Sequence, residues 1–118
     1  MKQENISVII IEPMRLPQVA TIKNSLAELQ DAVGGCIEVI APFKDTAVII
    51  CNEEAKLLSL QFNRLIGNGI ISGTFIIAGA DVEDGEFISL TDSQVEEYQR
   101  MFSYLEIFIT SKSAGGRT

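Results

Sequence analysis

Apolar positions follow two periods along this chain, and their succession predicts strands and helices in turn. The segment 7–13, SVIIIEP, is a continuous run of β-branched residues that a proline stops, which is typical of a buried strand. The segment 17–22, PQVATI, alternates loosely between apolar and polar residues and predicts a second strand. The short connection 14–16 between them predicts a hairpin.

The segment 24–35, NSLAELQDAVGG, has the helical period. Ser25 and Glu28 have the spacing of a capping box, in which each side chain accepts the other residue's free backbone N–H. Gly34 and Gly35 end the helix, since glycine readily adopts a positive φ. The apolar stripe that should face a sheet comprises Leu26, Leu29 and Val33.

Four further strands are predicted after this helix. Segment 36–42 alternates, whereas 46–51 is apolar throughout, as in a central strand. Segment 71–79 is a second central strand, and 85–90 pairs with it across a polar turn ending in Asp84-Gly85.

The segment 90–106 predicts the second helix. Thr91 and Gln94 form another capping box, and Leu90 precedes it at the position of a hydrophobic staple to Val95. The segment 107–110 either continues this helix or forms an edge strand. The apolar stripe of the helix comprises Val95, Tyr98, Phe102 and Leu105.

This order of elements predicts an α+β domain. Short links between the strands favour antiparallel pairing, so we expect a curved sheet or partial barrel of about six to seven strands with two helices packed on it. The domain should span 1–110, and the polar, glycine-rich segment 111–118 should be a flexible C-terminal tail.

Size and hydropathy agree with one folded domain. At 118 residues and 47% apolar content, the chain can bury a single core without a disulfide or metal. The N-terminal residues are polar and the apolar runs are too short to span a bilayer, so we expect no signal peptide, no membrane association and a cytoplasmic location.

The net charge of −7 argues against direct binding to nucleic acid, which needs clustered cations on one face. An acidic mimic of DNA is the opposite hypothesis. The acidic residues of 81–97 would carry that role.

Catalysis is disfavoured because the chain contains no histidine. This removes the Ser-His-Asp and Cys-His nucleophile arrangements and nearly all zinc-enzyme sites. Cys36 and Cys51 each adjoin an apolar run and should be buried, reduced side chains. We therefore expect no enzyme activity, no metal and no cofactor.

The segment 50–66, ICNEEAKLLSLQFNRLI, is the strongest candidate for a functional site. One interpretation is a strand end and a solvated turn, with Glu53 and Glu54 splayed into water and Lys56 opening the returning strand. The other is a binding edge for a polar ligand. Its contacts would be Asn52, Glu53, Lys56, Asn63 and Arg64.

The glycines of GNGIISGTF do not have the spacing of a phosphate-binding loop. A turn at Asn68-Gly69 and a close approach of two strands at Gly73 explain them better.

Three segments together resemble a known family: VGGCIEVI, then ICNEEAKLLSLQFNRLIGNGIISGTFIIAG, then DGEFISLTDSQVEEY. The chain is similar over about residues 6–105 to the family of domains of unknown function numbered three-eight-four-six. Ala55 stands where the motif has a glycine, and Gln61 and Phe62 replace prolines. The motif positions are Gly35, Ile37, Glu38, Val39, Asn52, Glu53, Glu54, Lys56, Asn63, Arg64, Gly73, Thr74 and Gly79.

The resemblance implies an accessory protein of a phage, plasmid or other mobile element, with no established catalytic activity. We expect it to act by binding a protein partner or a second copy of itself. The alternatives are a protein that sequesters a small ligand or nucleotide, and an antirestriction-type DNA mimic.

Overall fold

The described part of the computed structural model, residues 2–67 and 69–104, contains eight strands and two helices. Every strand pairing among them is antiparallel. In chain order the elements are β1 (Asn5–Ile11), β2 (Gln18–Lys23), α1 (Leu26–Val33), β3 (Ile37–Ile40), β4 (Ala47–Asn52), β5 (Phe62–Ile66), β6 (Gly69–Ser72), β7 (Phe75–Ala80), β8 (Phe87–Ile88) and α2 (Asp92–Met101).

Six of the strands form the main sheet, in the order β2-β1-β7-β4-β3, with β8 pairing to Gly79 and Ala80 of β7. Strands β5 and β6 form a separate hairpin. The predicted α+β class, the antiparallel pairing and the two helices are confirmed. The described residues contain one strand more than the predicted range, and their main sheet is open, with β2 and β3 at its edges.

The core lies on both faces of the main sheet because its central strands alternate between two hydrophobic clusters. On the face covered by α2 and the β5–β6 hairpin, Ile49 and Ile77 pack with Phe102. On the face covered by α1, Ile50 and Ile76 pack with Leu29. We call these the α2 face and the α1 face. Strand β4 is buried along its whole length, as predicted for a central strand.

Helix α1 differs from its prediction in two details. The Ser25 hydroxyl accepts the Glu28 N–H at 3.2 Å, but the Ser25 N–H donates to the Lys23 carbonyl, so only half of the capping box forms. Leu26 is 58% exposed and does not belong to the buried stripe. It is the first residue of α1, directly after the cap, and so lies at the rim of the helix. The end at Gly34, with a φ of 82°, is confirmed.

Helix α2 has its complete capping box, with the Thr91 hydroxyl accepting the Gln94 N–H at 3.1 Å and the Gln94 side chain accepting the Thr91 N–H at 2.9 Å. Val95, Tyr98 and Phe102 join the α2-face core as predicted. The predictions for Leu105, for 107–110 and for the tail 111–118 lie outside the described residues, as does the domain boundary at 110.

The predicted single strand 71–79 is wrong, because Gly73 divides it. Its φ of 78° interrupts the extended backbone, so that β6 turns into the hairpin with β5 while β7 enters the main sheet. A Cβ on Gly73 would lie 2.7 Å from Leu60 Cδ1, which confirms the close approach predicted there. Within the described ranges, no helix has the length and apolar character needed to cross a membrane.

Candidate functional site

A cavity of about 360 Å³ opens between the edge of the main sheet and the β5–β6 hairpin. Strands β3 and β4 form one wall, β6 forms the opposite wall, and the turn after β4 closes one end. We call it the acidic cavity. Its lining comprises Glu38, Ile40, Cys51, Asn52, Glu53, Glu54, Ala55, Lys56, Leu57, Ile70, Ile71 and Ser72.

Asn52 fixes the turn that closes the cavity. Its side chain is 4% exposed, donates from Nδ2 to the Val33 carbonyl at 3.1 Å and accepts the Glu54 N–H at Oδ1 at 2.7 Å. The first bond satisfies a carbonyl at the end of α1, and the second is an Asx turn. Gly35 lies so close that a Cβ there would come within 3.0 Å of Nδ2. Asn52 is thus the buried last residue of β4, and its side chain anchors the turn that follows.

The chain reverses over residues 53–59, and β5 begins only at Phe62. The prediction that Lys56 opens the returning strand is therefore wrong: Lys56 lies within the turn. The left-handed residue is Ser59, with a φ of 55°, and not Ala55. This placement explains how alanine can stand at the motif's glycine position, since no positive φ is required there.

The charges around the cavity are unbalanced. Glu38, Glu53 and Glu54 are exposed, and Lys56 is the cation beside them. Among the described residues, none of these four side chains has an ion-pair partner within 4.0 Å. Three unpaired carboxylates beside one ammonium give the mouth of the cavity a negative potential.

The floor and rim of the cavity are partly apolar. Ile40 and Ile71 pack with the α2-face core, while Ile70 is 49% exposed and Leu57 is 83% exposed. An occupant would therefore meet an aliphatic surface below the carboxylates. This combination suits a group with an apolar stem and a cationic end.

Cys51 is buried as predicted, but the prediction is wrong for Cys36, which is exposed. Within the described residues Cys51 is the only thiol that lines the cavity, and it is held in the protonated form. It is 7% exposed, and its Sγ lies 3.7 Å from the Glu38 carbonyl oxygen, to which it donates. Burial, with a further contribution from the Glu38 charge, raises the pKa of the Cys51 thiol to about 11. A thiol protonated at neutral pH is a poor nucleophile.

Asn63 and Arg64 do not reach the acidic cavity, since each is only 1% exposed. Asn63 Nδ2 donates to the Ile11 carbonyl at 2.9 Å and to the Gly73 carbonyl at 2.8 Å. Its carboxamide therefore joins the end of β1 to the link between β6 and β7. The structure separates the five sequence candidates into Asn52, Glu53 and Lys56 at the cavity and a buried pair inside the core.

The Arg64 guanidinium contacts three parts of the fold. It donates from Nη1 to Asn63 Oδ1 at 2.8 Å, from Nη2 to the Arg15 carbonyl at 2.8 Å and from Nη2 to the Phe102 carbonyl at 3.1 Å. Phe102 caps the C-terminus of α2, where unpaired carbonyls and the helix dipole favour a cation.

One polar pair was not found from the sequence. Asp45, before β4, accepts the Tyr98 hydroxyl at 2.8 Å, and it also accepts the Ala47 N–H at 2.9 Å. Burial acts to raise the pKa of Asp45, but these hydrogen bonds outweigh it and hold the pKa below its usual value. Burial and the Asp45 carboxylate raise the pKa of Tyr98. The two residues are 53 positions apart, so no local pattern signals their contact.

The described residues contain no group of three or more histidine, cysteine, aspartate or glutamate side chains placed to hold a metal ion. The three glutamates that line the acidic cavity therefore do not form such a group.

Residues 6–103 match the family model described as Domain of unknown function (DUF3846). The chain belongs to this family. Comparison with curated proteins and with solved structures gives no match. In this DUF3846 domain the motif positions divide spatially: Glu38 and Asn52 line the acidic cavity, whereas Asn63, Arg64 and Gly73 lie in or beside the buried hydrogen-bond network.

Proposed function

We propose that this DUF3846 domain is a non-catalytic binding protein that holds a basic side chain of a partner protein in the acidic cavity. The observation that carries the proposal is a set of three carboxylates, of Glu38, Glu53 and Glu54, that have no ion-pair partner among the described residues and line a cavity with aliphatic side chains. A lysine or arginine side chain matches this arrangement, since its stem is apolar and its end is cationic.

Long-range electrostatics support the same choice of partner. The chain carries a net charge of −7, so it attracts basic surfaces and repels acidic ones. Complementary charge of this kind steers association and selects among partners. The Lys56 ammonium at the turn would pair with a carboxylate of the partner. A partner that carries an acidic residue as well as the basic one would therefore bind in one register.

The chemistry of the site supports binding over catalysis. The chain has no histidine to act as a general base, and the Cys51 thiol is protonated at neutral pH. The setting of this role, as a cytoplasmic accessory protein of a phage or mobile element, belongs to the same proposal and rests on the family resemblance.

Titration of a basic peptide tests the proposal. The probe is acetyl-Thr-Val-Lys-Val-Thr-amide, followed by NMR shifts of the cavity residues. The triple variant E38Q/E53Q/E54Q should bind it at least about tenfold more weakly, because the ammonium loses its carboxylate partners.

The matched control is E4Q/E83Q/E96Q, which removes the same three charges at exposed glutamates elsewhere. It should change the affinity for the peptide less than about twofold, because salt screens exposed charges that lie far from the bound ammonium. Equal losses in both variants would show that only net charge matters, and no binding to the unmodified protein would also contradict the proposal.

A small cationic ligand is a second candidate, and the volume of the cavity favours it. About 360 Å³ lies within the range of small-molecule sites, and the exposed Glu53 and Lys56 offer polar contacts. Native mass spectrometry of protein purified from its host separates the two functions. A retained small molecule that E38Q/E53Q/E54Q loses would favour the ligand function over the protein partner.

A further inference from the structure

Strand β3 is an edge whose outward backbone groups can be identified from its register with β4. The Glu53 N–H donates to the Cys36 carbonyl at 2.8 Å, so these two residues form a hydrogen-bonded pair. Such pairs alternate with non-hydrogen-bonded ones along an antiparallel ladder. The register pairs Glu38 with Cys51 and Ile40 with Ile49, so Glu38 and Ile40 also direct their backbone groups towards β4.

It follows that Ile37 and Val39 direct their N–H and C=O groups away from β4. Among the described residues, no strand pairs with β3 on that side. Val39 is 45% exposed, so water reaches this edge. The open edge of β3 therefore offers the two donors and two acceptors that an incoming antiparallel strand would use.

We propose that an extended basic segment of a partner protein adds to the main sheet as an antiparallel strand beside β3. The proposal rests on the proposed function and specifies its binding mode. Hydrogen bonds to Ile37 and Val39 hold the backbone of the segment, and a lysine or arginine opposite Glu38 reaches the acidic cavity.

The pleat of the sheet links the two contacts. Glu38 and Ile40 line the cavity, so their side chains point to the α2 face. Towards the added strand, Glu38 would occupy a non-hydrogen-bonded pair, in which opposed side chains are closest. A basic residue at that position therefore lies on the same face as Glu38, beside the mouth of the cavity.

Charge favours a basic partner over a second copy of this chain. Pairing of β3 with β3 would bring two carboxylate-lined cavities together on molecules that each carry −7. Charged residues on an edge strand are a common means of preventing self-pairing. The same carboxylates attract a lysine- or arginine-bearing strand.

A proline substitution tests the backbone contacts without altering the cavity. Val39→Pro removes one outward N–H and leaves the β3–β4 hydrogen bonds in place. It should weaken binding of acetyl-Thr-Val-Lys-Val-Thr-amide by at least about tenfold, because proline removes a hydrogen-bond donor and its ring obstructs the incoming backbone. An unchanged amide spectrum outside β3 establishes that the variant folds.

Val19→Pro is the matched control at the opposite edge. The Asn24 N–H donates to the Glu4 carbonyl, so the alternation places the Val19 N–H outward from β2 just as that of Val39 is outward from β3. Val19 is 49% exposed, close to the value for Val39. This variant should bind the peptide as the unmodified protein does.

Hydrogen exchange gives a second readout that needs no variant. Bound peptide should slow exchange of the Ile37 and Val39 amides and leave that of Glu38, which already bonds to β4, unchanged. If Val39→Pro binds normally while E38Q/E53Q/E54Q does not, strand addition is wrong and the cavity function stands.

Failure of the unmodified protein to bind the peptide contradicts both the strand addition and the function proposed for the acidic cavity. If sedimentation instead shows a dimer that Val39→Pro abolishes, the occupant is a second copy, and the basic-partner proposal is overturned.

Discussion

At the scale of single residues, the chemistry of the polar run from Cys51 to Glu54, at the end of β4, depends on whether each side chain is buried or exposed. Cys51 and Asn52 are both buried, whereas Glu53 and Glu54 are exposed at the cavity mouth. The neighbouring thiol and carboxamide therefore serve the structure: the thiol as an apolar wall of the cavity, the carboxamide as the anchor of the turn.

The protonated state of Cys51 leads to a prediction about alkylation. At pH 8 iodoacetamide should modify the exposed Cys36 at least about tenfold faster than Cys51, because the thiolate is the reacting form and burial suppresses it. Mass spectrometry of the digested protein measures both rates. Comparable rates in the folded protein would contradict the buried, protonated thiol.

The raised pKa of Cys51 also makes the free energy of unfolding depend on pH in a defined alkaline window. The unfolded chain releases the Cys51 proton near pH 9.0, whereas the folded protein keeps it to about 11. The contribution to stability is thus fully present below pH 9.0 and is lost as the pH rises towards 11. Urea unfolding of Cys51→Ala should show a shallower alkaline decline than that of Cys36→Ala.

At the scale of elements, Gly73 decides how the apolar run 71–79 divides between two sheets. Hydrophobic pattern alone favours one continuous strand, since only the three residues 72–74 interrupt the apolar run. The positive φ at Gly73 and its close approach to Leu60 separate β6 from β7. The hairpin then covers the α2 face and forms one wall of the acidic cavity.

Gly73→Ala should reduce the free energy of unfolding by about 2–3 kcal/mol, combining left-handed backbone strain with overpacking. The added Cβ would meet Leu60 Cδ1 at 2.7 Å and Cβ at 3.3 Å, so rotation of the leucine relieves only part of the clash. Chemical denaturation measures the change.

Gly85→Ala is the control for this prediction, since Gly85 has a similar φ of 73° but no heavy atom within 4 Å of an added Cβ. The free energy of unfolding of this variant should fall by only about 1 kcal/mol, from the backbone strain. Equal losses at the two glycines would show that the contact with Leu60 has no energetic role.

At the scale of the whole molecule, the Asn63–Arg64 pair joins elements that the sequence keeps far apart. Arg64 bonds to the carbonyls of Arg15 and Phe102, on the β1–β2 connection and at the end of α2. Asn63 adds the end of β1 and the β6–β7 link. These bonds satisfy backbone carbonyls at the ends of elements and in the links between them.

Arg64→Ala should therefore destabilise the protein by about 3 kcal/mol or more, because it leaves several buried acceptors unsatisfied. Arg64→Lys should recover little of this lost stability, since an ammonium lacks the planar fork that reaches both carbonyls. Thermal unfolding measures both variants.

The control is Arg100→Ala on the exposed side of α2, which should cost below about 1 kcal/mol. A stable Arg64→Ala protein that lost peptide binding would contradict the structural role and return Arg64 to the binding site.

Much of the secondary structure could be predicted because it depends on local chemistry. The β-branched run of β1 and the capping box of α2 specify their conformations within a few residues. The hairpin β5–β6 was missed because its residues alternate poorly and Arg64 interrupts them. A charged residue in that position suggests exposure, and only its carbonyl partners make its burial favourable.

The candidate site was predicted in part for the same reason. The sequence identified Asn52, Glu53 and Lys56 as a polar cluster, and adjacency alone keeps them together. The sequence also grouped Asn63 and Arg64 with them, but the structure buries these two residues away from the cavity. Proximity along the chain does not reveal on which side of a strand or sheet a side chain lies. Glu38 entered the site through the β3–β4 register, a tertiary feature.

The sequence by itself determined the family, the α+β class, most of the strands and both helices, because each follows from hydrophobic period and capping over short distances. The tertiary structure decided which polar residues are buried, how β6 and β7 part, and where the carboxylates gather. Those outcomes depend on contacts between distant segments, where a buried polar group is stable only once its partners are in place.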